Sequence, residues 1–453
     1  MNFKTVAFHH FGCKVNFAEA STLSRKFKDA GIDVCDFHEQ ADVYVISTCV
    51  VTAVAEKKCR AAIRQAHKLN PQAKIAVIGC FSELKPQELQ GMEGVDLVLG
   101  HSGKFRLLEE LEKLDTEVSP GIDPAGNQEN REPAAAHDHE YHGGMGISKH
   151  DGQALFVPSF SYGDRTRSFL KIQDGCDYFC TYCTIPLARG RSRSDTVANA
   201  VANAGEIIRN GIREIILTGV NIGDFGRHNG ENFGQLIRAL DQVEGIPRIR
   251  ISSIEPDLLT REIIEFIATS SHFLPHFHIP LQSGCNKTLK AMHRRYTREL
   301  YHERVETIKA LMPDACIAAD VITGFPGETE EDFNDTFRFL SDLDISYLHV
   351  FTYSRRDNTL AAKMAEPVPD KVKKERSEAL HRLSDEKKHR FYRNNHGKVV
   401  SVLFESDNSH GFMHGFSENY IRVKTAYNAE LVNQTVSVTL ENLGEDGEYV
   451  VSC

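Results

Sequence analysis

Short apolar runs alternate with stretches of helical length along most of this chain. Between Lys4 and Glu117 the apolar runs are TVAFHHFG, DVYVIST, KIAVIG and VDLVLG. From about Phe169 to Glu366 six more follow, FLKIQ, EIILTGV, RIRISSI, FHIPLQ, IAADVITGF and YLHVFTY. Strands that alternate with helices favour parallel sheets. We therefore predict an α/β protein with a small parallel N-terminal domain and a central partial (β/α)6 barrel, whose chemistry should lie at the carboxyl ends of its strands.

The remaining segments have a different character. Residues 119–153 contain six Gly and three Pro but no Leu, Val or Phe, which is typical of a flexible linker. We interpret the histidines of this segment as solvated rather than metal-binding: His137, His139, His142 and His150. Residues 371–398 predict a charged helix, and the period-two alternation after it predicts a small OB-like β-barrel. The predicted domains are 1–118, a linker 119–155, 156–390 and 391–453.

Composition excludes several classes of protein. The 453 residues are 41% hydrophobic and 26% charged, which excludes wholesale disorder and collagen-like repeats. No apolar run approaches the roughly 18 residues of a transmembrane helix, and the start MNFKTVAFHHFGCKVN lacks the order of a signal peptide. We therefore expect a soluble, cytoplasmic protein with no membrane partner. The net charge of −10 argues against a general polyanion binder but allows a local basic surface.

Eleven cysteines in a reducing compartment indicate metal binding or catalysis rather than disulfides. Three of them form a C-x3-C-x2-C run, Cys176, Cys180 and Cys183, directly after the strand candidate FLKIQDG. Three thiolates on one tight loop can hold three corners of a 4Fe–4S cube and leave one iron without a protein ligand. Structural zinc needs four closed ligands, and no partner pair follows nearby. We therefore predict an iron–sulfur cluster whose open iron can take a substrate or cofactor.

Three more cysteines follow apolar runs of the N-terminal domain: Cys13 in FGCKVN, Cys49 in STCVVT and Cys80 in IGCFSE. Ligands converge at the carboxyl ends of the strands of an open α/β sheet, so three such loops could meet at one metal. Plain burial of the cysteines is the alternative on these grounds. The remaining cysteines show no ligand-like grouping, and we interpret them as packing residues or plain thiols: Cys35, Cys59, Cys285, Cys316 and Cys453.

Polar and glycine-rich loops follow the other predicted barrel strands. The segment 219–223, GVNIG, can bring backbone amides to a charged ligand. Other hydrogen-bonding groups at strand ends are Ser253, Glu255, Gln282, Ser283 and the turn 320–328. Each of these patterns also occurs in ordinary βα loops. The cations beyond the cysteine loop are either a solvated, ion-paired set or a site for RNA phosphates: Arg189, Arg191 and Arg193, with Arg294 and Arg295 further along.

The cysteine run followed by TIPLARGRSR closely resembles the radical S-adenosylmethionine (SAM) enzymes, and among them the methylthiotransferases. The resemblance implies that the open iron chelates SAM, and that one electron from a low-potential donor such as flavodoxin or ferredoxin cleaves it to a 5′-deoxyadenosyl radical. It implies a second 4Fe–4S cluster on Cys13, Cys49 and Cys80, and a TRAM module at the C-terminus. It also implies SAM contacts by Tyr182, Asn221, Glu255, Ile322 and Gly324.

The motifs GCKVN and TCVVTAVAEKKCR most resemble the methylthiotransferases that act on N6-threonylcarbamoyladenosine in tRNA. This implies that a methylthio group is added to C2 of that base beside the anticodon, with the tRNA anticodon loop as partner. The alternatives are isopentenyladenosine in tRNA and an aspartate of a ribosomal protein. A radical is required because the C2–H of adenine is neither acidic nor attached to a leaving group.

Charge is distributed unevenly over the C-terminal part of the chain. Residues 371–398 carry ten Lys/Arg against four Asp/Glu, whereas residues 399–453 carry two against eight, which is a poor match for RNA. We therefore expect the basic helix and the set Arg189, Arg191 and Arg193 to bind the tRNA. The aromatic residues of the barrel either stack on bases or belong to its core: Phe412, Phe416 and Tyr420.

Overall fold

The computed structural model describes residues 3–117, 155–163 and 166–452 of the chain. The chain falls into two compact units, the first made of Met1–Phe11 with Leu23–Ala154 and the second of Gly12–Thr22 with Leu155–Cys453. Residues 119–154 of the predicted linker, including its four histidines, lie outside the described residues. Within the described ranges, no helix combines the length and the apolar character that a bilayer crossing requires. The boundaries between the four predicted segments stay predictions.

The first unit is built on a five-stranded sheet in which all neighbours are parallel. The strand order is β2–β1–β3–β4–β5, with β1 (Thr5–His10), β2 (Asp33–Cys35), β3 (Val43–Thr48), β4 (Lys74–Gly79) and β5 (Val95–Leu99). The helices are α1 (Lys14–Asp29), α2 (Ala53–Leu69), α3 (Cys80–Leu84), α4 (Pro86–Gln90) and α5 (Leu107–Glu117), with a 3-10 helix at Lys104–Arg106. Every residue of β3 is buried, as expected of a central parallel strand. The predicted parallel domain is confirmed, and only short elements such as β2 were not predicted.

The second unit contains six parallel strands that follow one another in chain order. They are β7 (Arg167–Lys171), β10 (Glu214–Thr218), β11 (Ile249–Ile251), β12 (His276–His278), β13 (Cys316–Thr323) and β14 (Tyr347–Thr352). Two parallel bridges, Ile249 with Phe273 and Ser253 with His278, continue the row from β11 to β12. Antiparallel additions are β6 (Ser159–Phe160) on β7, and β8 (Gln173–Asp174) paired with β9 (Arg193–Ser194). The predicted partial barrel is confirmed.

Helices connect the barrel strands. They are α6 (Ile185–Arg189), α7 (Val197–Arg209), α8 (Phe233–Asp241), α9 (Arg261–Thr269), α10 (Asn286–Ala291), α11 (Arg298–Leu311) and α12 (Glu330–Asp342), with 3-10 helices at Ile222–Asp224 and Ala361–Lys363. Four of them are capped by a threonine whose hydroxyl accepts a hydrogen bond from a first-turn N–H: Thr196, Thr260, Thr297 and Thr329. Such a cap stabilises a helix by about 1 kcal/mol, so these threonines mark where each helix begins.

A long helix and a curled sheet complete the second unit. The helix α13 (Asp370–Asn394) precedes six strands in the order β18–β15–β16–β17–β20–β19. The strands are β15 (Val399–Phe404), β16 (Phe412–Ser417), β17 (Arg422–Ala426), β18 (Thr435–Thr439), β19 (Asn442–Leu443) and β20 (Tyr449–Val450), with a 3-10 helix at Ala429–Leu431. Phe391 and Tyr392 at the end of α13 share a core with Phe404 and Tyr449 of the sheet. The predicted charged helix and β module are confirmed, whereas β19 and β20 were not predicted.

A buried carboxylate connects the barrel to this sheet. Glu214 on β10 pairs with Arg248 at 3.0 Å and with Arg250 at 3.1 Å. The same two arginines donate to main-chain carbonyls of the sheet, Arg248 to Ser401 at 3.0 Å and Arg250 to Ser417 at 3.2 Å. Burial alone would raise the pKa of Glu214, but Arg250, Arg248 and the nearby Arg167 together lower it to about 2. The carboxylate therefore stays charged and keeps both arginines in place.

Candidate active site

The loop that begins at Gly175 carries the three clustered cysteines at the carboxyl end of the first barrel strand. Gly175 has a φ of +68°, and a Cβ there would collide with the carbonyl of Arg191, so only glycine fits this turn. On the far side, the Thr181 N–H donates to the Met292 carbonyl at 3.1 Å, and the Thr181 carbonyl accepts from the Ala361 N–H at 2.8 Å. The loop is therefore fixed from several sides by the chain itself.

A donor points at each of the three sulfurs, those of Cys176, Cys180 and Cys183. The N–H groups of Tyr178 and Ile185 lie 3.5 and 3.4 Å from the first and third, and Arg294 Nη1 lies 3.0 Å from the second. Burial raises the pKa of Cys176 to about 12, and burial also raises the pKa values of the other two thiols. Thiolates in this place therefore need a cation, and the donors suit sulfurs that are bound to metal.

The distances between the three sulfurs distinguish a cluster site from a site for a single zinc ion. Zinc bonds of about 2.3 Å bring tetrahedral sulfur ligands to within about 3.8 Å of one another. The sulfurs of these three cysteines do not all lie within 4.8 Å of one another. An iron–sulfur cube binds each sulfur through a different iron and accepts a wider spacing. The donor set therefore fits a 4Fe–4S cluster better than zinc.

Polar groups from other strand ends adjoin the cysteine loop. Arg294 contacts both Cys180 and Glu255, and burial raises the pKa of Glu255 while Arg294 stabilises its charged form. Gln173 accepts from the Asn221 N–H at 2.9 Å and donates to the carbonyl of Gly175 at 2.8 Å, which ties Asn221 to the start of the loop.

Asn221 has an unsatisfied side chain. The residue is only 2% exposed, and neither its Oδ1 nor its Nδ2 has a hydrogen-bond partner in the part of the chain that the structure describes. A buried amide left unpaired costs roughly 1–3 kcal/mol. The amide therefore suits a polar ligand with both a donor and an acceptor, and SAM has both.

An apolar group lies behind the cysteine loop. Tyr182 and Ile322 pack with Phe325, and the Tyr182 and Phe325 rings meet edge-on with centroids 6.4 Å apart. The Gly324 N–H donates to Glu328 Oε2 at 2.7 Å and its φ of +73° forms a turn, and its predicted cofactor contact stays a prediction. Tyr182 and Ile322 thus lie together, whereas Gly324 shapes the loop.

Cys49 and Cys80 follow neighbouring strands of the first unit. Cys49 comes directly after β3 and Cys80 directly after β4, and the last residues of these strands, Thr48 and Gly79, are register partners. Both cysteines are buried, at 7% and 4% exposure. Cys13 lies between β1 and α1, is exposed, and is counted with the second unit. A site shared by all three stays a prediction.

The three arginines predicted to bind RNA have very different surroundings. The Arg189 side chain is 1% exposed and pairs with Glu19 at 3.1 Å and Asp174 at 2.8 Å. Arg193 is 15% exposed and pairs with the same Asp174 at 3.0 Å. Arg191 is 66% exposed. Because a buried, doubly paired guanidinium cannot reach a phosphate, the prediction is wrong for Arg189; Arg191 is the open member of the set.

Several site residues lacked a signal in the sequence. Arg294, for which the sequence left an ion pair and an RNA contact as alternatives, is buried and ion-paired with Glu255 beside Cys180. Glu19 is buried and pairs with Lys171 at 2.9 Å, a partner 152 positions away that no local pattern connects to it. No role was predicted for Lys14. Burial, with repulsion from Arg167 and Arg250, lowers the pKa of Lys14 to about 8.

Comparisons with known proteins agree with this geometry. Residues 170–340 match the model of the radical SAM superfamily, and residues 5–100 match that of "uncharacterized protein family UPF0004". The chain is 38% identical to threonylcarbamoyladenosine tRNA methylthiotransferase MtaB of Bacillus subtilis, covering 98% of this chain and 96% of that protein. It is 34% identical to tRNA-2-methylthio-N(6)-dimethylallyladenosine synthase of Alkaliphilus oremlandii, covering 87% and 81%. The solved radical SAM methyltransferase TsrM of Kitasatospora setae shares the fold, with a TM-score of 0.54 over 79% of this chain and 77% of that chain at 16% identity.

Proposed function

Because this chain belongs to the radical SAM methylthiotransferases that act on tRNA, we propose that it adds a methylthio group to C2 of N6-threonylcarbamoyladenosine beside the anticodon. The B. subtilis relative named for that substrate is 38% identical over nearly the full length of both chains. The relative named for dimethylallyladenosine is less similar and covers less of this chain. The enzyme uses SAM and a 4Fe–4S cluster.

The observation that carries this proposal is the cysteine loop with its partners. Three thiols, one buried and two half-buried, each have a donor aimed at the sulfur and lie next to polar groups that include the unsatisfied amide of Asn221. When bound, the cluster and SAM supply the hydrogen-atom abstraction that the inert C2–H of adenine requires. Cys176, Cys180 and Cys183 would ligate the cluster, and Asn221 would hold the polar end of SAM.

The other residues of the site orient ligands and exclude water. Arg294 contacts both the carboxyl group of Glu255 and the sulfur of Cys180, and so would hold that carboxyl group beside the cysteine loop. Tyr182, Ile322 and their apolar neighbours close the opposite side against solvent.

A second 4Fe–4S cluster on Cys13, Cys49 and Cys80 is part of the proposal. Two of these cysteines follow register-paired strand ends of one parallel sheet, where ligands gather in open α/β folds. The reaction also needs an electron from outside the chain, for which a low-potential donor such as flavodoxin or ferredoxin is suited. The cytoplasm is where tRNA and such donors are both found.

The tRNA-binding surface is proposed to include Arg191 and the exposed cations of α13. Arg191 lies over the Phe179 ring at 4.9 Å, so a phosphate contact and base stacking are both within its reach. The exposed cations of α13 are Lys371, Lys374, Arg382, Lys388, Arg390 and Arg393. The curled C-terminal sheet is acidic and would contribute shape rather than charge.

Nucleosides from total tRNA of cells with and without this gene test the substrate. We expect 2-methylthio-N6-threonylcarbamoyladenosine to disappear in the deletion strain and its unthiolated parent to accumulate, as measured by mass spectrometry. Restoring the gene should restore the product. If the product persists while the methylthio form of isopentenyladenosine disappears, the substrate is the other tRNA base. If tRNA is unchanged, the tRNA proposal fails.

Arg191→Gln should weaken tRNA binding without affecting the fold, because its side chain is exposed. The loss of one phosphate contact reduces the slope of log K against log salt concentration by about 0.7–0.9. Binding of labelled tRNA at several salt concentrations measures this slope.

Arg338→Gln is a matched control for Arg191→Gln. Arg338 is 71% exposed, pairs with Asp335 as Arg191 pairs with Asp177, and lies on α12. Equal slopes for wild type and Arg191→Gln would remove Arg191 from the RNA surface.

A further inference from the structure

Three side chains of metal-ligating type come together from neighbouring strands of the barrel. They are His278 at the end of β12, Asp320 on β13 and His349 on β14. Each offers one ligand atom, and these three atoms all lie within 4.8 Å of one another. Asp320 and His349 are register partners, and the ring centroids of His278 and His349 are 5.2 Å apart. The sheet itself therefore holds the three side chains at one point.

The three side chains lie on the inner face of the barrel sheet. Successive side chains of a strand point to opposite faces. The residues next to them along their strands pack in or against the core that the sheet shares with the connecting helices: Phe277, Ala319, Val321, Leu348 and Val350. His278, Asp320 and His349 therefore point toward the barrel interior. His349 is exposed, so an ion can reach the site from solvent.

A hydrogen bond orients one of the two imidazole rings. The Ser253 hydroxyl lies 2.7 Å from Nδ1 of His278, and a backbone bridge also joins these two residues. Metal-binding imidazoles usually make such a hydrogen bond through their second nitrogen, which fixes the ring for coordination. Nε2 of His278 then faces Asp320 Oδ1 at 2.6 Å. Because two ligand atoms on one tetrahedral ion lie about 3.4 Å apart at bond lengths of about 2.1 Å, a small movement of the two side chains admits an ion.

An ordinary histidine–aspartate pair does not account for the whole arrangement. Such a pair needs only His278 and Asp320. The side chain of His349 makes no hydrogen bond or ion pair among the residues that the structure describes, yet β14 places it beside both of the others. A metal ion would give all three ligand atoms a common partner.

The three ligand types indicate the class of ion. Two imidazoles with one carboxylate are typical of zinc and of non-haem iron(II), whereas Mg²⁺ and Ca²⁺ prefer oxygen ligands alone. A site of this kind generally binds Zn²⁺ more tightly than Fe²⁺. Three protein ligands leave at least one coordination position for water or for an oxygen of a substrate.

We propose that His278, Asp320 and His349 bind one divalent transition-metal ion, with its open coordination position toward the barrel interior. The site shares no ligand with the cysteine loop or with the three cysteines proposed for the second cluster. The inference goes beyond the proposed function and does not depend on which tRNA base is modified.

Zinc binding to the full-length, cluster-loaded protein tests the inference. The protein is equilibrated anaerobically with Zn²⁺, separated from free ion, and analysed for zinc and iron by inductively coupled plasma mass spectrometry. We expect the wild type to bind one zinc atom per chain more than His349→Ala, whose exposed side chain can be removed without disturbing the core. Ser253→Ala keeps the three ligands and should lower the zinc affinity by about 10- to 100-fold.

His302→Ala is the matched control for His349→Ala. The His302 side chain is 50% exposed and lies on α11, where it pairs with Glu306. This variant should bind as much zinc as the wild type. Iron should be equal in all of these proteins, because none of the changes replaces a proposed cluster ligand.

A cysteine at position 349 should give a positive signal for the same site. His349→Cys should still bind the ion, since a thiolate is also a ligand for such metals. With Co²⁺ it should show a thiolate-to-cobalt charge-transfer absorbance beyond that of the wild type. His302→Cys should show no such increase.

The inference is overturned if the wild type and His349→Ala bind the same amount of zinc, including the case in which neither binds any. It is also overturned if zinc and iron fall together in His349→Ala, because the zinc would then belong to the cluster cysteines.

Discussion

Cys176→Ala is expected to abolish both methylthio transfer and the formation of 5′-deoxyadenosine, a loss of more than about a thousand-fold. The predicted 4Fe–4S cube has three cysteine ligands and no fourth, and the two cysteines left in this variant should not hold it. Iron should therefore fall from about eight to about four atoms per chain if the second cluster is present. Anaerobic reconstitution followed by iron analysis and product quantification measures both effects. The three thiols are buried or half-buried, which supports this sensitivity, because water cannot readily replace a missing sulfur.

Two other cysteine variants serve as comparisons in this experiment. Cys35→Ala should keep full iron and activity, since Cys35 lies half-buried on an edge strand with only a 3.7 Å contact to a carbonyl. Cys80→Ala should stop methylthio transfer and lower iron to the same extent, yet still form 5′-deoxyadenosine, because the barrel loop is intact. Activity retained in Cys176→Ala would contradict the enzymatic reading of the loop.

Glu214→Gln is expected to destabilise the protein by about 3–5 kcal/mol, because it leaves two buried arginines without their shared carboxylate. The pKa of Glu214 is about 2 in the fold, below its ordinary value of 4.5. Its contribution to stability is therefore complete above about pH 4.5 and is lost as the pH falls toward 2. Wild type should lose stability over that interval, whereas Glu214→Gln should lack this part of the pH dependence.

Urea denaturation followed by circular dichroism measures this difference. Glu262→Gln is the matched control, because Glu262 is 78% exposed and its pair with Arg238 should be worth less than about 1 kcal/mol. If Glu214→Gln unfolds at the same urea concentration as Glu262→Gln, the buried pair contributes no net stability.

The fold was predictable from the sequence where a run of apolar residues corresponds to a buried strand. Strands such as β3, β4 and β10 are almost wholly buried and mostly apolar, and the clustered cysteines follow another predicted strand, β7, so position in the sequence was enough to find the loop. β2 has only three residues and lacks such a run. Short elements of this kind depend on neighbours that are distant in sequence.

The arginines show that the local sequence pattern does not determine whether a charged side chain is buried or exposed. Arg189 and Arg191 are two residues apart in one basic stretch, yet one is buried and the other exposed. Arg189 is held by Asp174 together with Glu19, which lies 170 positions away. Arg294 is likewise fixed by Glu255, on another loop. A charged side chain is assigned to surface or site only when its partner is known.

The attachment of the C-terminal sheet has an evolutionary consequence. Arg248 and Arg250 bind the sheet through the main-chain carbonyl oxygens of Ser401 and Ser417. Every amino acid has such a carbonyl. Mutations that change the outer side chains of the sheet leave these contacts in place. The sheet can therefore drift in charge, even to the acidic composition found here, without detaching from the barrel. Selection for a new RNA or protein surface could act on it while the catalytic core stays unaltered.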